Sequence, residues 1–139
     1  MISQRHLARI AAMQAIYSSL TRPNTDAVSS LEYFVRQLPE KLEKFNFSKT
    51  LLEGVFQHKE EIEKKVLQGS SDTSLEKIDI LTLSILMLGT YELIFDKEKQ
   101  PVAVVINEAV ELAKSFAKDT APSLVNAILS KISKEFSEK

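Results

Sequence analysis

The sequence predicts an all-α protein, and three observations carry that prediction. Only three glycines and four prolines interrupt 139 residues. No stretch alternates apolar and polar residues over more than a few positions, as a half-buried strand requires. Apolar residues recur instead at helical spacing along nearly the whole chain. A chain of this length suits one compact domain. A glycine–serine stretch near residue 70 divides its pattern into two small helical bundles, about 1–69 and 70–139.

The first helix covers residues 4–20, with Ile10, Met13, Tyr17 and Leu20 inward and Arg5 and Arg9, one turn apart, on the other side. Pro23 stops it, because a proline disfavours helix at the residue before it. Asp26 is placed to cap a second helix that runs to about Leu38, before Pro39. A third helix starts near Ser48, its N-cap, and buries Leu51, Leu52, Val55, Phe56, Ile62 and Val66. Gly69-Ser70-Ser71-Asp72 reads as a connector. Thr73 and Glu76 have capping-box spacing and open the next helix.

Residues 78–95 are the most hydrophobic run. Twelve uncharged residues lie between Asp79 and Glu92, too few for a bilayer span of about 20. The run therefore predicts a helix buried on nearly all sides. Gly89 in its middle costs about 1 kcal/mol of helix propensity relative to alanine, which is tolerated where another helix approaches closely. Asp96-Lys97-Glu98-Lys99 reads as a solvated turn. Pro101 then suits a first helical turn, and Val102, Ile106, Ala109, Ala113 and Phe116 form an apolar stripe behind it. Asn107, Glu111 and Lys114 mark the polar face, with Glu111 and Lys114 close enough to pair. A last helix begins near Thr120, its cap, with Pro122 in the first turn and Leu124, Val125, Ile128, Leu129 and Ile132 inward.

Composition excludes several chemistries. The chain has no cysteine, so disulfides and thiolate metal sites are ruled out. His6 and His58 lack ligand spacing, and the first ten residues lack the apolar core of a secretion signal. A cytoplasmic protein is expected. The glycines at 54, 69 and 89 are isolated, so none builds a phosphate loop. Glu60, Glu61 and Glu63 beside Lys64 and Lys65 read as a solvated helix flank. The expectation is a binding protein with no catalytic residues, no metal and no cofactor.

Charge distribution points to the partner. The net charge is −1, yet residues 1–22 hold Arg5, Arg9 and Arg22 and no acid. From Lys114 to the end, five lysines face three acids. Two basic ends around an acidic middle fit an anionic partner, although lysines near helix C-termini also complement the helix dipole. Single-stranded RNA is held by cations on phosphates, flat side chains under bases and amides on base edges. Arg5, His6 and Arg9 offer the first of these, and Lys114, Phe116 and Asn126 offer the others. Phe116 also falls on the apolar stripe, where a core role is open to it, and Asn126 is equally suited to bonding nearby backbone.

Three blocks carry a family resemblance: RHLARIAAMQAIY at 5–17, LLEGV at 51–55, and YEL at 91–93 followed by INEAVELAKSF at 106–116 and VN at 125–126. In order and spacing they resemble the NusB family of bacterial transcription antitermination factors. The resemblance implies about seven helices in two roughly perpendicular bundles. It also implies binding to boxA RNA of nascent ribosomal transcripts with the ribosomal protein NusE, in a complex with elongating RNA polymerase. Oligomeric state is left open between monomer and homodimer. Matched positions select Arg5, His6, Arg9, Phe116 and Asn126 as the RNA surface, with Lys114 and Lys118 nearby. Where the family commonly runs several arginines together, this chain has Arg5, His6, Leu7, Ala8 and Arg9, so two firm charges remain. Other departures are Leu124 in place of an aromatic, Ala127 in place of glycine, Thr82-Leu83 in place of Asp-Arg, and Met87 in place of arginine. Two other readings remain: a helical protein–protein adaptor, or the RNA-binding domain of a ribosomal RNA cytosine methyltransferase.

Overall fold

Residues 80–94 form the helix against which most of the others pack, in the computed structural model that describes residues 2–71 and 75–137. Seven α-helices and one 3-10 turn are present, and no strand occurs among the described residues. The helices are α1 (Gln4–Thr21), α2 (Ala27–Arg36), α3 (Phe45–Gln57), α4 (Lys59–Gly69), α5 (Ile80–Ile94), α6 (Val102–Phe116) and α7 (Ala121–Ser137), with the 3-10 turn at Leu75–Lys77. The first three pack on one another, α4 packs on α5 and α7, and α6 lies against α5 and α7. Helix α5 also touches α1 and α3, which makes it the common wall of both groups.

The buried character expected of α5 holds from Ser84 to Leu93, every residue of which is buried. Two of its hydroxyls are satisfied within the helix: Ser84 Oγ donates to the Ile80 carbonyl at 2.8 Å and Thr90 Oγ1 to the Leu86 carbonyl at 2.7 Å. Gly89 has the reason its position demanded. A β-carbon there would lie 2.7 Å from Leu129 Cδ1, so α5 and α7 come this close only without one. Lys99 Nζ donates to the carbonyls of Leu93 and Ile94 and closes the C-terminal end of α5.

Several expectations are corrected. Helix α1 is buried on almost every side, from Leu7 to Ala15 except Gln14, while Tyr17, expected inward, is 40% exposed. The reason is that α2, α3 and α5 all pack against it, leaving no broad polar face. The long third helix is two helices. It begins at Phe45, breaks at His58 (φ −111°, ψ 22°) and resumes as α4. An unbroken helix over 45–69 would extend about 37 Å; the break lets α4 turn onto α7. Ser48 is not a cap but a buried residue inside α3, its Oγ donating to the Ala8 carbonyl at 2.7 Å. Asp96, expected in a solvated turn, is buried. On α6 the buried stripe is Val105, Ala109, Leu112 and Ala113, and Val102 and Phe116 are exposed at its ends. The proposed cap at Thr73 lies outside the described residues.

Other local signals act as read. Asp26 caps α2 by accepting from the Ser29 N–H, and Glu111 and Lys114 pair at 3.5 Å. Asp79 caps α5: its carboxylate accepts from the Thr82 N–H at 3.0 Å and from Thr82 Oγ1 at 2.7 Å, with Lys118 Nζ 3.6 Å away. Burial alone would raise this carboxyl, but the Thr82 bonds and Lys118 outweigh it and hold it below the ordinary aspartate value. A lowered folded-state pKa contributes stability that is complete above the unfolded value of about 3.9 and is lost as pH falls through the lower folded value. Asp79→Asn keeps a capping oxygen and removes the titration. Its urea midpoint is therefore expected to fall less steeply than that of the parent below about pH 4. Identical acid limbs for the two proteins would contradict the assignment.

Candidate nucleic-acid interface

Ser3 opens α1 by accepting the His6 N–H at 3.1 Å, which fixes the start of the helix that carries Arg5, His6 and Arg9. The three do different work. Arg9 is 2% exposed, and its Nε and Nη2 donate to both oxygens of Glu92, itself 2% exposed, at 2.8–3.2 Å. Its Nη1 lies 3.8 Å from Glu108. Arg9, expected on an open face one turn from Arg5, thus points inward and is spent on holding α1 to α5 and α6.

His6 is half-buried beside it. Nδ1 lies 2.6 Å from Glu108 Oε2; an ionised carboxylate only accepts, so Nδ1 carries the proton and Nε2 is left uncommitted. Three carboxyl groups, of Glu92, Asp96 and Glu108, surround the single guanidinium of Arg9. Burial works against the charge on Arg9, but the Glu92 bonds and all three acids hold its pKa above the ordinary value. Burial pushes the Glu92 carboxyl up; Arg9 opposes this, and Asp96 and Glu108 add to the rise. The two rises differ in origin: neighbouring acids raise Arg9 against its burial, and burial first of all raises Glu92.

Arg5 alone of the two α1 arginines reaches solvent. Its side chain is 38% exposed, lies 4.8 Å above the Phe47 ring centroid and is 3.6 Å from Glu98.

A groove of about 310 Å³ runs between α1 and the end of α6, lined by His6, Ile10 and Gln14 on one helix and Ser115 and Phe116 on the other, with Leu38 and Pro39 beside them. Phe116 is 40% exposed, so its ring is available at the groove rather than spent in the core. His6 and Phe116, 110 residues apart in sequence, therefore meet. Gln14 was not among the expected site residues. The signal for it was present, since His6, Ile10 and Gln14 follow at four-residue steps along one face of a helix.

The remaining expected residues lie on the surface but do not line this groove. Lys114 is exposed and paired with Glu111, and Lys118 is exposed and faces Asp79. Asn126 is exposed on α7, its Oδ1 accepting from Ser130 Oγ at 3.4 Å. Among the departures from the family pattern, Met87 is fully buried, Thr82 is buried on its Asp79 cap, and Leu124 packs against the core. Met87 and Thr82 thus alter the interior and not a binding face. No cluster that could hold a metal occurs among the described residues, and no helix of theirs is long and apolar enough to cross a membrane.

Comparison with known proteins identifies the family of the chain. The transcription antitermination protein NusB of Aeromonas salmonicida is 38% identical over 138 residues, covering 99% of this chain and 98% of that protein. The structure of T. maritima NusB matches with a TM-score of 0.83 at 27% identity, over 97% of this chain and 94% of that one. NusB from a complex of the antitermination factors NusB and NusE with double-stranded RNA matches with a TM-score of 0.80 at 27% identity, over 97% and 99%. The NusB family model covers residues 6–134, and the chain belongs to the NusB family.

Proposed function

We propose that this protein is a transcription antitermination factor that binds boxA-type RNA together with NusE and joins the elongating RNA polymerase complex. It works in the cytoplasm by binding and not by catalysis, as one RNA-binding domain with an N-terminal and a C-terminal helical half. The observation that carries the RNA reading is the groove in which His6 and Gln14 of α1 meet the exposed ring of Phe116. A base stacked on Phe116 has an imidazole and an amide edge within the same groove, and Arg5, Lys114, Lys118 and Asn126 supply polar contacts along the strand outside it.

The inward turn of Arg9 sets the strength of that binding. With Arg9 committed to Glu92, Arg5 and one lysine are the cations counted on phosphates, and two neutralised phosphates give a log K against log salt slope of about −1.4. RNA is accordingly held weakly by this chain alone and firmly with NusE. Fluorescence titration of a boxA oligonucleotide at several salt concentrations measures both. Phe116→Ala is expected to weaken binding about tenfold. Arg5→Ala is expected to flatten the salt slope by about 0.7. If neither variant alters RNA binding while both retain NusE, the protein is a helical adaptor.

A further inference from the structure

An open cleft of about 960 Å³ lies between the start of α1, α3 and the loop that follows α5, at the upper end of the size of small-molecule sites. The groove of His6 and Phe116 is separate from it. Aromatic side chains line it: Phe47, Tyr91, and His58 stacked on Phe95 at 4.1 Å with 8° between the rings.

Two residues that line the cleft each have one polar atom without a hydrogen bond. Asp96 is 5% exposed; its Oδ1 accepts the Glu98 N–H at 3.1 Å, while Oδ2 is buried without any hydrogen bond. Nη1 of Arg5 is likewise buried and without a hydrogen bond, although the rest of its guanidinium is held over Phe47. A buried acceptor or donor left unmatched is costly, and a flat ligand that donates to the carboxylate and accepts from the guanidinium would match both.

We propose that this cleft binds a guanine base. Guanine offers adjacent donors, N1–H and the 2-amino group, that suit a carboxylate such as Asp96, and adjacent acceptors, O6 and N7, that suit a guanidinium such as Arg5. Adenine puts an acceptor at N1 against the carboxylate, and neither pyrimidine has two neighbouring donors on one edge. The aromatic lining supplies apolar contact for a flat ring. Lys44 and Lys97, both exposed, also line the cleft and suit a phosphate, whereas Glu43, Glu53 and Glu98 on its walls disfavour a polyphosphate tail. A phosphodiester-linked or singly phosphorylated guanosine fits this balance. Where RNA delivers the base, the inference rests on the RNA-binding reading above; recognition of a free nucleotide does not.

Titration of the full chain with GMP, IMP and AMP, followed by backbone amide NMR, tests it. GMP should shift Phe47, Gly54 and Tyr91 saturably; IMP, which lacks only the 2-amino group, should bind about tenfold more weakly, and AMP should leave these signals in place. Asp96→Asn keeps the Oδ1 contact to Glu98 and should bind GMP about tenfold more weakly, with the preference over IMP gone. Equal responses to the three nucleotides, shifts confined to the α1–α6 groove, or undiminished GMP binding by Asp96→Asn would overturn the proposal. Replacing guanosine by inosine in a boxA oligonucleotide separates the sources. Weaker RNA binding marks a base delivered by RNA, and unchanged RNA binding beside selective GMP shifts marks a free nucleotide. Loss of all RNA binding with GMP selectivity intact would defeat the RNA reading alone.

Discussion

Arg9→Ala is expected to lower folding stability by about 3–5 kcal/mol, with the thermal midpoint falling by roughly 10–20 °C for a chain of this size. Removing the guanidinium leaves Glu92, 2% exposed, without the two-pronged bond it now receives, and leaves the charges of Asp96 and Glu108 acting on it unopposed by Arg9. The sign of the pH dependence follows. Glu92 is already pushed upward by burial, and loss of Arg9 pushes it further. A raised folded-state carboxyl penalises the ionised fold and is relieved by protonation, so the deficit of Arg9→Ala relative to the parent should shrink as pH falls from 7 toward about 5. Pairing Arg9→Met with Glu92→Leu removes both charges together and should recover most of the loss, since a buried ion pair often does no better than apolar groups of similar volume. Urea denaturation of the three variants and the parent at two pH values measures this. A variant Arg9→Ala as stable as the parent would place Arg9 outside the interior, against its geometry.

That one residue explains why the fold was more legible in the sequence than the site. Helical spacing, caps and turns are local, and they marked α1, α2, α5, α6 and α7 close to where they lie: Asp26 caps its helix, and residues 80–94 are buried as their composition demands. The error at residues 45–69 came from the same source. Apolar spacing continues through His58, and nothing local records that α4 must turn to reach α7. Glycine 89 was readable because a costly residue in a buried helix needs a neighbour to justify it, and Leu129 is that neighbour.

Site residues depend on which way a helix is rolled, and periodicity decides that only when one face is polar. Between Leu7 and Tyr17 helix α1 carries only Arg9 and Gln14 as strongly polar residues, too few to mark a polar face, so spacing alone sets Arg5 and Arg9, four residues apart, on one outward side. In the fold one lies over Phe47 in reach of solvent and the other is enclosed with Glu92. Glu92 could have been the clue, since it lies in the most apolar stretch of the chain and a buried acid demands a cation. Phe116 ends the α6 stripe, where a residue one step too far round emerges from the core. The resemblance selected His6 and Phe116 together; that they line one groove is a matter of how α1 and α6 approach, which no local pattern contains.

Gly54→Ala is expected to destabilise the protein by about 2 kcal/mol, although alanine is by itself the better helix former by about 1 kcal/mol. A β-carbon at this position of α3 would overlap Cε1 and Cζ of Tyr91 and lie 2.6 Å from its hydroxyl. The ring cannot yield cheaply, because it is 6% exposed and anchored on α5, the most enclosed helix of the fold. Either α3 moves away from α5 or the ring leaves its place and enters the cleft that Phe47 and His58 share with it. The neighbour, and not the backbone, is the cause, so the effect must depend on Tyr91. In a Tyr91→Leu background the same Gly54→Ala change should cost little or stabilise by up to about 1 kcal/mol, a coupling of the size contacting residues show. Urea denaturation of the four proteins reads the coupling directly. An equal loss in both backgrounds would mean that α3 resents the substitution for a reason of its own, and that the tight approach to Tyr91 has no energetic weight.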